Sequence, residues 1–157
     1  MYKGGVKERF AVFVNDPGTD SGNDLMTHKL SLEVMAAELA VVQLDPATDI
    51  PAWALAGDLF SVTRTPDELS IVCRQELLPD GYPAQRGLRA LAVKGPLEFT
   101  AVGILDSLAR PLAGAGLSIF VISTYATDYV LIAESSLPQA REVLVAAGHT
   151  VIDAAQQ

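Results

Sequence analysis

The chain has 157 residues, of which 50% are hydrophobic and 19% are charged, a balance typical of a folded globular protein rather than a disordered one. Its formal net charge of −8 argues against nucleic-acid binding, because an acidic surface repels a phosphate backbone.

The single cysteine, Cys73, cannot form an internal disulfide, and the two histidines give no zinc-site spacing. We therefore expect no metal, no cofactor and a reducing, cytoplasmic location. No apolar run approaches the roughly 18 residues of a membrane span, so no membrane partner is expected.

Residues 1–28 are predicted to be an extension followed by a linker. Within them, residues 15–24 have the sequence NDPGTDSGND, which consists almost entirely of polar residues and turn formers. We assign this segment no function.

Residues 29–86 are predicted to be a degenerate copy of the unit that follows them. The pattern indicates a strand, a short helical turn, a two-stranded hairpin and a connection that contains proline and glycine. In chain order these are Leu39–Leu44, Pro51–Ala56, Phe60–Arg64 with Leu69–Arg74, and Leu77–Arg86. The hairpin turn, Thr65–Glu68, carries paired carboxylates that we interpret as solvated turn residues.

Residues 87–153 give the clearest pattern, in the order β-α-β-β-α-β. The predicted strands are Leu88–Val93, Leu117–Thr124, Asp128–Glu134 and His149–Ile152. The first helix has Thr100 as its expected N-cap and ends at Gly114 or Gly116, with Pro111 inside it. The second helix starts at Ser136 and ends at Gly148. This order predicts an α+β, ferredoxin-like fold in which an antiparallel sheet carries two helices on one face.

Both faces of this predicted sheet are apolar. Phe120, Ile122, Val130 and Ile132 alternate with Ile119, Val121, Tyr129 and Leu131 along its two middle strands. Two helices can cover only one face, so the other must pack against the preceding unit or a second copy of the chain. We expect a homodimer.

The start of the first helix is one candidate binding site. Free backbone N–H groups and the helix dipole at Thr100–Ile104 suit a carboxylate or a phosphate, and Gly103 would let a ligand approach the backbone. The alternative is that Gly103 only relieves crowding between helix and sheet. Ser107 lies on the flank of the same helix, where a serine is usually a tolerated packing or solvent residue.

A polar run between two apolar strands is the second candidate. It contains Ser123, Thr124, Tyr125, Thr127 and Asp128, and the Asp128 carboxylate could accept hydrogen bonds from an ammonium group. An ordinary polar hairpin would have the same composition, and the residues alone leave the two interpretations open.

No pattern predicts catalysis. The chain has no glycine-framed serine, no phosphate-binding glycine–lysine loop and no metal triad. Cys73 lies within an apolar strand, which favours a core thiol over a reactive one. A small transferase or hydrolase therefore lacks a catalytic set, and we expect no enzyme.

Two segments resemble ACT-domain proteins, specifically the branch that includes the cytosolic arginine sensors of the CASTOR type. They are FSVTRTPDELSIVC at 60–73 and GPLEFTAVGILDSLARPLAGAGLSIFVISTYATDYVLIAE at 95–134. The resemblance implies tandem βαββαβ units that bind an amino acid or a similar effector between ACT units.

The resemblance also implies which residues bind the ligand. They are Val102, Gly103 and Ile104 at the helix start, Ser107 on its flank and Asp128 in the hairpin. Ala101 stands where the arginine sensors carry an acidic residue, so a small or apolar amino acid fits as well as arginine. The predicted function is a non-catalytic regulatory protein, and the alternative is a structural or protein-interaction module without a ligand.

Overall fold

The computed structural model describes residues 28–98 and 101–154. Within these ranges the chain forms seven strands, two α-helices and three short 3-10 turns, one of them at Ala52–Leu55. The strands are β1 (Ser31–Leu44), β2 (Ser61–Arg64), β3 (Leu69–Arg74), β4 (Ala84–Val93), β5 (Phe120–Ser123), β6 (Asp128–Ala133) and β7 (Thr150–Asp153). The helices are α1 (Ile104–Gly114) and α2 (Leu137–Ala146). The predicted extension lies almost entirely outside the described residues.

The α+β class with two helices is confirmed, but β1 differs from its prediction. It begins at Ser31 instead of Leu39 and is 14 residues long. Its alternation of buried and exposed residues is broken by a β-bulge, because the pairing with β4 shifts register between Val34 and Glu38. A strand whose period changes in this way has no single sequence pattern, so only its second half was predicted.

The sheet has one parallel pair, which the predicted antiparallel arrangement did not include. Its strand order is β2-β3-β1-β4-β6-β5, and each of these neighbouring pairs is antiparallel. The last strand, β7, pairs in parallel with β1, from Ser31 opposite Thr150 to Val34 opposite Asp153. β1 therefore lies between β4 and β7 and carries residues of both predicted units in one sheet. The predicted domain boundaries at residues 28, 86 and 153 stay a proposal, and β4 spans the second of them.

Both helices pack on one face of the sheet, as predicted. Leu108 and Leu112, one turn apart on α1, are fully buried together with Ala140 and Leu144 of α2. They contact a layer of strand residues that comprises Leu32, Val34, Leu91, Val93, Val130 and Ile132. Burial of each leucine side chain contributes about 1.5–3 kcal/mol, which fixes α1 against β1, β4 and β6.

The 3-10 turn at Ala52–Leu55 covers a second buried cluster. Ala54 from the turn packs there with Ala40 and Val42 of β1 and with Ile71 and Cys73 of β3. Trp53 and Tyr82 meet edge to face over this cluster, with ring centroids 5.3 Å apart. β1 thus supplies side chains to both clusters.

The opposite sheet face is covered only in part. Leu39, Leu59 and Val72 from the first half of the chain join Ala90 and Leu131 in a buried cluster. Around it, Met35, Val41, Leu88, Phe120, Ile122 and Tyr129 are only partly buried. The preceding unit therefore provides some of the cover that the two-faced sheet was predicted to need.

Candidate functional site

The loop that follows β4 and the hairpin between β5 and β6 are joined at one end of the sheet. The Leu97 amide donates to the Ala126 carbonyl at 2.9 Å, and the Thr127 hydroxyl donates to the Val93 carbonyl at 2.5 Å. A Cβ atom added to Gly95 would lie 3.0 Å from the Ala126 oxygen, so glycine permits this close approach. The hairpin is thereby fixed to the segment that leads to helix α1.

Helix α1 begins without a side-chain cap. Its N-cap is Gly103, whose φ of 86° is left-handed, and the Ser107 amide bonds to the Gly103 carbonyl at 3.0 Å. The prediction of Thr100 as N-cap is wrong, because the left-handed glycine starts the helix later; Thr100 itself lies outside the described residues. The amides of Ile104 to Asp106 precede that of Ser107, the first amide to donate within the helix, and therefore have no partner within the helix.

A histidine that sequence reasoning did not assign lies beside this helix start. The His28 Nε2 atom is 2.8 Å from the Val102 carbonyl oxygen, and the ring passes 3.9 Å from a Cβ built on Gly103. The Val102 side chain itself is 87% exposed. Val102 therefore offers an exposed apolar surface, while its carbonyl already has a partner.

Ser107 lies on the partly buried flank of α1, one turn after the helix start. Its hydroxyl donates to the Ile104 carbonyl at 2.7 Å, and its own carbonyl lies 3.0 Å from the Nε2 atom of His149. His149 is 5% exposed; the sequence placed it at the start of the last strand but did not predict its contact with Ser107. Pro111 is the signal in the sequence that could have indicated this contact. It has no N–H to donate to the Ser107 carbonyl, so that carbonyl needs a hydrogen-bond donor from outside the helix.

The polar hairpin holds itself together. The Thr124 amide and hydroxyl both donate to the Thr127 carbonyl, at 2.8 and 2.9 Å, and the Thr127 amide donates back to the Thr124 hydroxyl at 3.1 Å. Tyr125 at the tip is 84% exposed. Ser123 and Asp128 face each other where β5 and β6 pair, and Asp128 is partly buried. The hydroxyls of Thr124 and Thr127 thus have structural partners within the turn and the adjoining strand.

The other residues considered in the sequence have structural roles. Thr65 accepts hydrogen bonds from the amides of Asp67 and Glu68, which confirms an ordinary turn. Cys73 is fully buried, and burial raises the pKa of its thiol, with the Arg86 guanidinium acting in the opposite sense. Among the described residues, no group of histidine, cysteine and carboxylate side chains could hold a metal ion, and no helix could cross a membrane.

The bulge in β1 also borders an open polar groove of about 640 Å³ that sequence reasoning missed. Its lining includes Glu38, Arg74, Gln75, Asp80 and Arg86. Gln75 donates to the Glu38 carboxylate at 2.8 Å and accepts from the Gly87 amide at 2.6 Å. Most of the charged side chains that line the groove are exposed. The groove is therefore a solvated surface rather than a closed pocket.

Comparison with known families assigns both halves of the chain. A model of the ACT domain matches residues 84–146, and a model described as an N-terminal domain matches residues 37–81. The two matches meet at the connection between β3 and β4.

Solved structures share this architecture. Protein Atu0741 from Agrobacterium tumefaciens is 32% identical, with a TM-score of 0.78 over 83% of this chain and 97% of that chain. A Vibrio cholerae protein, VC0802, described as a possible transport protein, is 23% identical, with a TM-score of 0.64 over 79% of this chain and 94% of its own. The regulatory subunit of aspartate kinase from Thermus thermophilus is 13% identical, with a TM-score of 0.53 over 74% of this chain and 95% of that subunit. The similarity to Atu0741 extends over most of both chains, and the match at residues 84–146 shows that this chain is an ACT-domain protein.

Proposed function

We propose that the protein is a non-catalytic regulator that binds an amino acid between the start of α1 and the β5–β6 hairpin. One observation carries the proposal: the loop leading to α1 is hydrogen-bonded to the hairpin, through Leu97 with Ala126 and Thr127 with Val93. The hairpin is therefore tied to the chain at Leu97, six residues before Gly103, and this supports placing the helix start within reach of it. The fold shared with a regulatory subunit of aspartate kinase supports a regulatory role.

The ligand carboxylate would bind at the uncapped amides of α1. The left-handed Gly103 has no side chain to compete for them, and the helix dipole favours a negative charge there. Val102 and Ile104 would flank the carboxylate. This is the part of the site for which the local geometry gives the strongest support.

The ligand ammonium group would bind at the hairpin, to the Asp128 carboxylate. The Ser107 hydroxyl, which donates to the Ile104 carbonyl, keeps its oxygen lone pairs as acceptors for the same group. Ser123, Thr124, Tyr125 and Thr127 would form the wall of the site. Of these, Tyr125 has the largest exposed surface to offer.

The side chain of the bound amino acid is proposed to be small or apolar, or that of arginine. The resemblance is to arginine sensors of the CASTOR type, but Ala101 provides no carboxylate for a guanidinium group, so a small or apolar side chain fits as well as arginine. Comparing binding of alanine, leucine and arginine therefore tests the CASTOR-type assignment.

A second copy of the chain is proposed to complete the site as an ACT–ACT interface. The partly buried Phe120, Ile122 and Tyr129 lie on the face that the helices do not cover, and a homodimer would remove them from water. The single, buried Cys73 is consistent with a cytoplasmic location, where thiols stay reduced.

A module without a ligand is the alternative, and the hairpin geometry favours it. Thr124 and Thr127 already have hydrogen-bond partners within the protein, so a polar composition alone does not require a ligand. In this case the ACT domain would serve assembly or contact with another protein.

A thermal-shift screen of the twenty proteinogenic amino acids separates these functions. A ligand at one hundred times its Kd stabilises the native state by about 2.7 kcal/mol, so we expect a melting temperature that rises with ligand concentration. Replacing Asp128 by alanine should reduce this shift, because the ligand ammonium group loses its carboxylate partner. Asp67→Ala removes an exposed turn acid in the other half of the chain and, as the matched control, should leave the shift unchanged. If no amino acid shifts the wild-type melting temperature, the binding function is rejected and the interaction module is favoured.

A further inference from the structure

Pro111 creates a backbone acceptor in α1 that needs a partner. In a regular helix the Ser107 carbonyl would accept from the amide of residue 111, but proline has no N–H. The helix nevertheless continues to Gly114. The acceptor is partly buried, where an unpaired carbonyl would be costly.

The imidazole of His149 provides that partner and makes a second hydrogen bond with its other nitrogen. The Leu30 amide donates to Nδ1 at 3.2 Å, and Nε2 lies 3.0 Å from the Ser107 carbonyl oxygen. Since a backbone amide can only donate, Nδ1 is an acceptor and the proton of the neutral ring is on Nε2. The two bonds therefore assign the Nε2–H tautomer.

These bonds connect α1 with the parallel pair of strands. Leu30 directly precedes β1, and its carbonyl accepts from the amide of Thr150, the first residue of β7, at 2.8 Å. The His149 amide in turn bonds to the Leu144 carbonyl at the end of α2. One buried ring thus joins helix α1 to the point where β1 and β7 meet.

We propose that His149 is a positioning residue that couples the amino-acid site on α1 to the β1–β7 pair. This proposal rests on the function proposed above, because Ser107 belongs to that site. A ligand that fixes the first turns of α1 holds the Ser107 carbonyl, and the rigid ring then holds the Leu30 amide. Coupling of this kind is reciprocal, so loosening the strand pair weakens ligand binding by the same factor.

Three variants separate the two bonds of the ring. His149→Asn keeps an acceptor, because the asparagine Oδ1 atom is as many bonds from Cβ as the histidine Nδ1 atom. His149→Gln keeps a donor, because the glutamine Nε2 atom is as many bonds from Cβ as the histidine Nε2 atom. His149→Phe removes both and retains a planar ring. In the ligand-free protein, hydrogen exchange of the Leu30 amide should be about five- to tenfold faster in the Gln and Phe variants and close to wild type in Asn, because one buried hydrogen bond is lost.

A spectroscopic measurement adds a readout that packing alone would not change. Nitrogen-15 NMR of the imidazole should report a protonated Nε2 and an unprotonated Nδ1 in the wild type. An Nδ1–H tautomer, or equal Leu30 exchange in all four proteins, would overturn the connecting role of His149 whether or not a ligand binds.

The coupling is tested with the amino acid that gives the largest thermal shift. Its addition should slow Leu30 exchange at least severalfold in the wild type and leave it unchanged in His149→Phe, which should bind the same amino acid more weakly. Binding with equal protection of Leu30 in both proteins contradicts the coupling but leaves the proposed function intact. If no amino acid binds, the function and its coupling are both rejected, and the ligand-free exchange still decides the connecting role.

Discussion

At the scale of single residues, Asp128 is the side chain on which the proposed amino-acid binding depends most. It lies at the first position of β6, partly buried and opposite Ser123. Its role is therefore testable by substitution without disturbing the buried clusters.

Asp128→Ala is expected to weaken amino-acid binding by roughly ten- to a hundredfold. The variant removes one charge-assisted bond to the ligand ammonium group, which is worth about 1.5–3 kcal/mol. Calorimetric titration measures the affinity, and melting curves measure the fold. A folded variant with wild-type affinity would show that Asp128 only shapes the turn.

Cys73 is expected to be inert towards thiol reagents in the native protein. Its side chain is fully buried, and burial raises the pKa of the thiol, so the reactive thiolate is scarce at neutral pH. A raised pKa also means that the free energy of unfolding falls as pH rises above the unfolded-state value of about 8.5. Labelling faster than global unfolding at pH 7 would contradict this.

At the scale of elements, the start of α1 depends on glycine for its backbone conformation. The φ of Gly103 is 86°, whereas the nearest atoms to an added Cβ are 3.9 Å away. Space is therefore available, and the constraint is conformational. Gly114, at the end of the same helix, has no positive φ and no atom within 4 Å of an added Cβ.

These two glycines form a matched pair of substitutions. Gly103→Ala should destabilise the protein by about 1–2 kcal/mol, because alanine is strained in the left-handed region. Gly114→Ala should be neutral or stabilise it by up to about 1 kcal/mol, because alanine favours the helix. Urea denaturation measures both, and equal effects at the two positions would contradict the assigned cap.

Elements also show what the sequence could and could not predict. The β2–β3 hairpin and both helices have local patterns, such as Leu108 and Leu112 one turn apart, and they were predicted within a few residues. The first half of β1 was missed because the bulge before Glu38 breaks its alternation. The partner of β7 is distant in sequence, so no local pattern could identify it. The candidate site was predicted as two segments, but the contacts of His28 and His149 depend on that long-range pairing.

At the scale of the whole molecule, the uncovered sheet face predicts self-association. Phe120, Ile122 and Tyr129 remain partly exposed to water on that face, although Leu39, Leu59 and Val72 of the preceding unit cover the rest of it. Light scattering at micromolar concentration should therefore give the mass of a dimer or a larger oligomer. Replacing Ile122 by lysine should shift the mass towards a monomer, and a monomeric wild type would show that the partial cover suffices.

The position of β1 has a consequence for synthesis of the chain. Among the described strands, β1 leaves the ribosome first and its partner β7 leaves last. The cluster under the 3-10 turn can close early around Ala40 and Val42, but Leu32 and Val34 must wait until α1 and α2 exist. The first half of β1 therefore has no helix to pack against until α1 and α2 have been made. Its pairing with β7 is also slow to form, because the two strands are far apart in sequence. We expect the nascent chain to mature in two stages, with β1 present in both.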